Sequence, residues 1–170
     1  MFYFICYKSK SKKKVFQLKD QNIIVLSARV HPGESLSSYI MKGLMDSLAT
    51  SDSKASKFLR ENFVLLIIPM MNPDGVSIGN YRCSLSGYDL NRAWGEPDRF
   101  VHPEVYYSKK LISNLQKNNK VIFYCDFHGH SKKESCFMYG CNIQKNRKST
   151  REFPMMMYEL CDHFEKDSCK

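Results

Sequence analysis

His31 and Glu34 stand three positions apart in His31-Pro32-Gly33-Glu34-Ser35, directly after an apolar run. A neutral imidazole and a carboxylate at that spacing are metal-ligand types. Zinc accepts both, and a hydrolytic zinc site takes three protein ligands and leaves the fourth position to water. A lone H-x-x-E recurs by chance, so a third ligand decides the matter. Phe127-His128-Gly129-His130-Ser131 offers one, because it again places imidazoles after an apolar run, Val121 to Asp126. By position either His128 or His130 could serve. Between the two motifs lie Arg82, Asn91 and Arg92, in sequence of irregular pattern. Two guanidiniums and an amide can bind a carboxylate and stabilise an oxyanion, although from spacing alone they read first as surface residues.

These side chains need elements to carry them. Asn22 to Val30 (NIIVLSARV) is apolar, rich in β-branched residues and of strand length, so it predicts a buried strand with His31 at its C-terminal end. Pro32-Gly33 then turns the chain and folds Glu34 back towards His31. Ile40, Met41, Leu44, Met45 and Leu48 recur at helical spacing and predict a helix over 36–49, with Ser35 as its N-cap and the methionines as core packing. A short helix over 54–60 leads into a second buried strand over 63–69. Asn72-Pro-Asp-Gly-Val76 is a turn signature, so Asp74 serves turn geometry at the start of the longest irregular stretch. A helix over 103–116 follows, with Pro103 in its first turn and Tyr107, Leu111, Ile112 and Leu115 on one face. Val121 to Asp126 is a third buried strand. Ligands far apart in sequence converge when strand ends lie side by side along one edge of an open α/β sheet. Residues 137–139 predict a fourth strand, and 153–164 a Met-rich amphipathic helix with Phe153, Met156, Met157, Leu160 and Phe164 inward. At the N-terminus, 2–7 and 15–18 predict a hairpin around a lysine-rich turn. His102 and His163 read as ordinary surface or helix residues.

The composition bounds the remaining choices. At 170 residues, 43% hydrophobic and 13% aromatic, the chain is long enough for one globular domain and is not of a disordered class. Lys+Arg at 26 against Asp+Glu at 17 give a net charge of +9, which favours an acidic partner through long-range steering. Much of the excess sits in short lysine runs that read as a solvated face, so a nucleic-acid partner is not expected. Seven cysteines without a C-x-x-C pair indicate reduced thiols in a cytosolic protein. The opening apolar run is shorter than a signal-peptide core, and no segment reads as a membrane span.

HPGES, NPDGV, GNYRCSLSGYDLNRAW and DFHGHS, in this order between about Ile23 and Gly140, resemble the zinc carboxypeptidases and specifically their cytosolic carboxypeptidase branch. The resemblance implies an α/β fold with a mixed central sheet, helices on both faces and the site at the strand C-termini. It implies one zinc ion held by His31, Glu34 and His128, with His130 a structural or outer residue. Asp89 then occupies the position whose carboxylate hydrogen-bonds the first zinc histidine, fixing its tautomer. Arg82 matches the arginine that polarises the scissile carbonyl, and Asn91 with Arg92 matches the pair that grips a substrate's C-terminal carboxylate. The activity implied is hydrolysis of C-terminal peptide or isopeptide bonds in the cytosol. The substrates implied are protein tails, including the polyglutamylated tails of tubulin, with the cytoskeleton as a site of action.

The same resemblance marks a departure. Family members carry a general-base glutamate on a late strand in a T-L-E-like context, and Glu134, Glu152, Glu159 and Glu165 all stand in other contexts. The expectation is therefore a partial catalytic domain over 21–170, incomplete at the C-terminus, preceded by an N-terminal strand or hairpin over 1–20. The alternative expectation is a truncated zinc-binding pseudoenzyme without the base. A related zinc deacylase shares the metal logic, but the Asn91-Arg92 pair argues against it.

Overall fold

The computed structural model describes residues 5–7, 21–118, 120–141 and 147–166. These form two compact units, one ending at Gly129 and the other running from His130. The first unit is built on a four-stranded sheet in the order β1-β3-β2-β4, where β1 is Ile5–Tyr7, β2 Asn22–Ala28, β3 Val64–Ile68 and β4 Lys120–Phe127. β2 pairs in parallel with both β3 and β4, while β1 is antiparallel to β3. The sheet is mixed, as expected.

Helices cover both faces. On one, α1 (Ser35–Thr50) and α2 (Lys54–Asn62) pack Met41 and Leu48, with Leu44, Met45 and Leu59, against Leu26, Ala28, Leu65 and Ile67. On the other, α4 (Pro103–Asn118) lays Leu111, Ile112 and Leu115 on Ile23, Val25, Val64 and Leu66. Every residue of β3 is buried, which is why VLLII shows no alternation. Each such aliphatic side chain contributes about 1.5–3 kcal/mol through the water-accessible surface it loses. A third cluster of Val30, Ile68, Met71, Leu90 and Val105 lies beyond the strand ends and ties the loops to the sheet.

β2 is the central parallel strand, and the chain crosses from it to one side and then back over it to the other. One crossover, through α1 and α2, reaches β3 on one side; the next, through α4, reaches β4 on the other. The C-terminal ends of β2 and β4 therefore flank a topological switch point, where open α/β sheets bind ligands. Ala28 and Phe127 are register partners, so the residues after them emerge together.

Several elements differ from the sequence reading. Ser35 lies inside α1; the N-cap is Glu34, with no side-chain cap bond, because its carboxylate is engaged elsewhere. The NPDGV turn is a short helix, α3 (Pro73–Ile78), capped by the Asn72 side chain accepting from the Gly75 N–H at 3.0 Å. Pro at the first helical position and Asn as cap start a helix as readily as they make a turn. Tyr107 of α4 is partly exposed rather than on the packed face. Of the hairpin expected over 2–7 and 15–18, residues 5–7 form β1, bonded to β3, and the rest lies outside the described residues.

In the second unit, residues 137–139 are not a strand. The extended contact there is a single bridge between Cys136 and Phe164, secured by Cys136 N–H to the His163 carbonyl and Glu165 N–H to the Cys136 carbonyl. His163 thus lies beyond the helix. α5 runs over Arg147–Leu160 and ends earlier than expected, with Pro154 inside it; of the apolar stripe only Phe164, past its end, is fully buried.

Glu104, in the first turn of α4, is 6% exposed, and its Oε2 has no hydrogen-bond partner among the described residues. Burial, reinforced by the charge on Asp74, raises its pKa against the opposing pull of its backbone hydrogen bond and His102. A carboxyl raised in the folded state is most favourable below its unfolded pKa of about 4.3, and that stability declines as the pH rises through the folded value. Glu104→Gln removes the charge penalty, so urea unfolding should show a gain of about 1 kcal/mol at pH 7 that disappears near pH 4. An equal gain at both pH values would contradict this account.

Candidate metal centre and anion site

His31 reaches its position through a sharp turn at the exit of β2. Arg29 adopts φ 59°, a left-handed conformation that non-glycine residues rarely take. The strain is held from several sides. Arg29 Nε donates to the Pro32 carbonyl at 2.7 Å and Nη1 to Ser38 Oγ at 2.8 Å, clamping the turn to the first turns of α1. The exit of β3 backs onto it, with Met71 N–H donating to the Ala28 carbonyl and Asn72 N–H to the Arg29 carbonyl. Asn72, fully buried, adds Nδ2 to the Val30 carbonyl at 3.2 Å. Gly33 donates its N–H to the Tyr81 carbonyl at 2.8 Å, and a Cβ there would sit 2.6 Å from the Tyr81 ring and 2.7 Å from that carbonyl oxygen. Only glycine permits this approach, so HPGE is shaped by the loop it rests on.

The Glu34 carboxylate is the meeting point. Oε1 lies 2.8 Å from His31 Nδ1, and Oε2 lies 3.0 Å from His128 Nδ1 and accepts the Gly129 N–H at 2.8 Å. The two imidazole centroids are 5.0 Å apart. One ligand atom from each of His31, Glu34 and His128 can be chosen so that all lie within 4.8 Å of one another. The outer ring nitrogens are held by carboxylates: His31 Nε2 by Asp89 Oδ1 at 3.0 Å, and His128 Nε2 by Asp126 Oδ2 at 2.7 Å.

That pattern tests whether a cation fits. A carboxylate acceptor on each Nε2 requires Nε2–H, which leaves Nδ1 of each neutral ring as a bare lone pair. Two lone pairs and a carboxylate then face one point and repel one another until positive charge is placed among them. Zinc supplies that charge and prefers this donor set, two imidazole nitrogens and one carboxylate oxygen. The same demand appears in His128. Burial pulls its pKa down, but the hydrogen bond and charge of Asp126, followed by Glu34, outweigh burial and leave it raised.

Asp89 joins this centre to the arginine loop. Its Oδ1 accepts from the Asn91 N–H at 2.9 Å as well as facing His31, and its Oδ2 accepts from Arg82 Nε at 2.8 Å. Burial would raise the Asp89 pKa; His31, Arg82 and the Asn91 amide together pull it below the usual carboxylate range. Arg82 is held by its Nε, and its side chain is 43% exposed. Asn91 and Arg92 lie in a single 3-10 turn, Leu90–Arg92, whose cap is Asp89 itself. Arg92 is exposed, and its Nη1 donates a long 3.4 Å bond to the Asn91 carbonyl. His31, Glu34, His128, Asp89 and Arg82 thus form one connected cluster, and Asn91 and Arg92 adjoin it through Asp89.

The contacts of His130 fall within the second unit. Its Nδ1 accepts the N–H groups of Lys132 and Lys133 at 3.2 Å each, and its ring packs edge-on against Phe137. Sequence reasoning passed over Arg29, Asn72 and Asp126. For Asp126 a signal existed, since a residue two before His128 on a strand shares its face. For Arg29 none did, because a left-handed arginine has no sequence signature.

A zinc carboxypeptidase family profile matches residues 9–166. Cytosolic carboxypeptidase 3 of Bos taurus is 47% identical over 157 residues, covering 89% of this chain and 16% of that protein. Cytosolic carboxypeptidase 2 of Mus musculus is 49% identical over 149 residues, covering 86% and 17%. The crystal structure of a metallo-carboxypeptidase from Burkholderia cenocepacia superposes with a TM-score of 0.81 at 24% identity, over 95% of this chain and 43% of that one. The chain therefore spans about a sixth of the length of these two relatives.

Proposed function

The chain belongs to the zinc carboxypeptidase family, and we infer that it supplies the metal centre and carboxylate-binding loop of a metallocarboxypeptidase acting on protein C-termini. The observation that carries this reading is the Glu34 carboxylate bridging His31 and His128, with Asp89 linking the same centre to Arg82.

In this reading His31, Glu34 and His128 hold the ion. Zinc, when bound, supplies Lewis-acid polarisation of a carbonyl and lowers the pKa of water to about 7. Asp89 and Asp126 keep the histidines in the tautomer that turns Nδ1 inward. Arg82, fixed at Nε, offers its terminal N–H groups to the oxygen that gains charge as the scissile carbonyl becomes tetrahedral. Asn91 and Arg92 receive the substrate's terminal carboxylate, which makes cleavage exopeptidic because an internal bond offers no free carboxylate. Glu34, Asp89 and Asp126 are each committed to histidines, so none of the three is assigned the general base.

Acidic tails are the substrate class favoured, polyglutamylated tubulin among them, in the cytosol. The net charge of +9 supports this through steering, and the relatives named above are cytosolic carboxypeptidases. The test is release of glutamate from a glutamate-tailed peptide by the protein in its full length. Zinc-dependent release is expected, with the same peptide amidated at its C-terminus left intact. Zinc and tail binding without release would favour the second reading, a zinc-binding module lacking the base.

A further inference from the structure

Asp126 is the inner end of a hydrogen-bond chain along the α4 face of the sheet. Its Oδ1 accepts from Ser27 Oγ at 2.7 Å, and Ser27 Oγ lies 2.9 Å from the Tyr124 hydroxyl. Ser27 and Asp126 are register partners on β2 and β4, and Tyr124 and Asp126 share a face by strand alternation. The direction of the bonds follows from counting protons. An ionised carboxylate only accepts, so the one proton of Ser27 goes to Asp126, and Tyr124 must donate to Ser27. Desolvation, then the nearby Asp126 charge, keeps the Tyr124 phenol above its usual pKa and hence a donor. The Tyr124 ring is in turn set edge-on to Trp94. Ser27 is fully buried among the apolar residues of β2, where a hydroxyl without partners costs stability.

The two carboxylates behind the histidines are therefore supported differently. Asp89 faces the Arg82 cation, which draws on its charge. Asp126 accepts from a neutral hydroxyl, that of Ser27, and among the described residues no lysine or arginine pairs with it. An uncompensated carboxylate polarises its imidazole more strongly.

Resting on the zinc-centre reading above, we propose that Tyr124, Ser27 and Asp126 are positioning residues for the metal: a relay that fixes the tautomer and ring orientation of His128 and makes it the stronger nitrogen donor. Its effect on the metal passes wholly through His128.

The test compares the full-length protein with its Asp126→Ala, Ser27→Ala and Tyr124→Phe variants. Zinc affinity is measured by chelator competition, and the visible spectrum is recorded after cobalt substitution. Asp126→Ala should weaken zinc by about 10–100-fold and shift the cobalt bands. Ser27→Ala should weaken zinc less, and Tyr124→Phe least, following the order of the chain. Circular dichroism of the metal-free variants should match wild type; if Asp126→Ala folds poorly, Ser27→Ala carries the comparison, with Ser27→Thr expected to restore affinity. Wild-type affinity and an unchanged cobalt spectrum in the folded variants overturn the proposal alone. Absence of zinc binding by the wild-type protein overturns the zinc-centre reading and the proposal with it.

Discussion

With His31 replaced by alanine, the protein is expected to lose zinc and with it any hydrolysis. The imidazole is 3% exposed, its Nδ1 faces Glu34 and its Nε2 faces Asp89, so no neighbour can move in to replace the donor. Loss of an outer orienting partner typically costs 10–100-fold in metal affinity; loss of a ligand should exceed about 100-fold. Stability reads the same event. An ion that binds only the folded state at 100 times its dissociation constant stabilises by about 2.7 kcal/mol, so wild-type protein should melt several degrees higher with zinc than with chelator. The variant should melt at one temperature in both conditions. Metal analysis after gel filtration separates this from simple unfolding, and a His31→Ala protein that retains one zinc per chain would remove His31 from the ligand set.

How much of this was legible in the sequence depended on the scale of the force involved. Burial on both faces makes Val64 to Ile68 continuously apolar, and helical spacing fixes α1 and α4, so sheet and helices could be read from one-dimensional pattern. The convergence of His31, Glu34 and His128 was legible because strand ends meet at a switch point, while the choice of His128 over His130 as the proposed ligand came from resemblance. The structure separates those two histidines by their contacts, one on Glu34 and Asp126, the other capping Lys132 and Lys133. What escaped were features decided by tertiary packing. Asn72 caps a helix rather than a turn because Gly75 lets α3 approach Pro32, where a Cβ would lie 2.5 Å from the proline ring. Residues 137–139 have strand composition but, among the described residues, only the one bridge, from Cys136, beside them. Ser27, a lone hydroxyl within the apolar run 23–28, is paired across the sheet with Asp126, a contact no one-dimensional pattern announces.

Arg82 and Arg92 should fail in different ways, and the difference follows from how each is held. Arg82 is bonded through Nε to Asp89, which also holds His31; on the proposed reading its alanine variant loses the donors for the developing oxyanion and loosens one orienting carboxylate. The expected loss is about 10²–10³-fold in kcat, as for other oxyanion donors, with a smaller fall in zinc affinity. Arg92 is exposed and, among the described residues, holds only the long bond to the Asn91 carbonyl, so its guanidinium is available to a ligand and its removal should leave zinc in place. A charge-assisted bond to a carboxylate contributes about 1.5–3 kcal/mol, so Arg92→Ala should raise KM for free-carboxylate peptides roughly 10–150-fold, the same free energy expressed as a ratio. C-terminally amidated peptides supply the control, since they lack the group that Arg92 would grip: their affinity should be weak and equal in wild type and variant. If Arg92→Ala binds free-carboxylate peptides as tightly as wild type, the carboxylate must be received elsewhere. If it weakens free and amidated peptides alike, Arg92 acts on the loop rather than on the substrate. The clamp is supported only when the loss is confined to peptides that carry the charge.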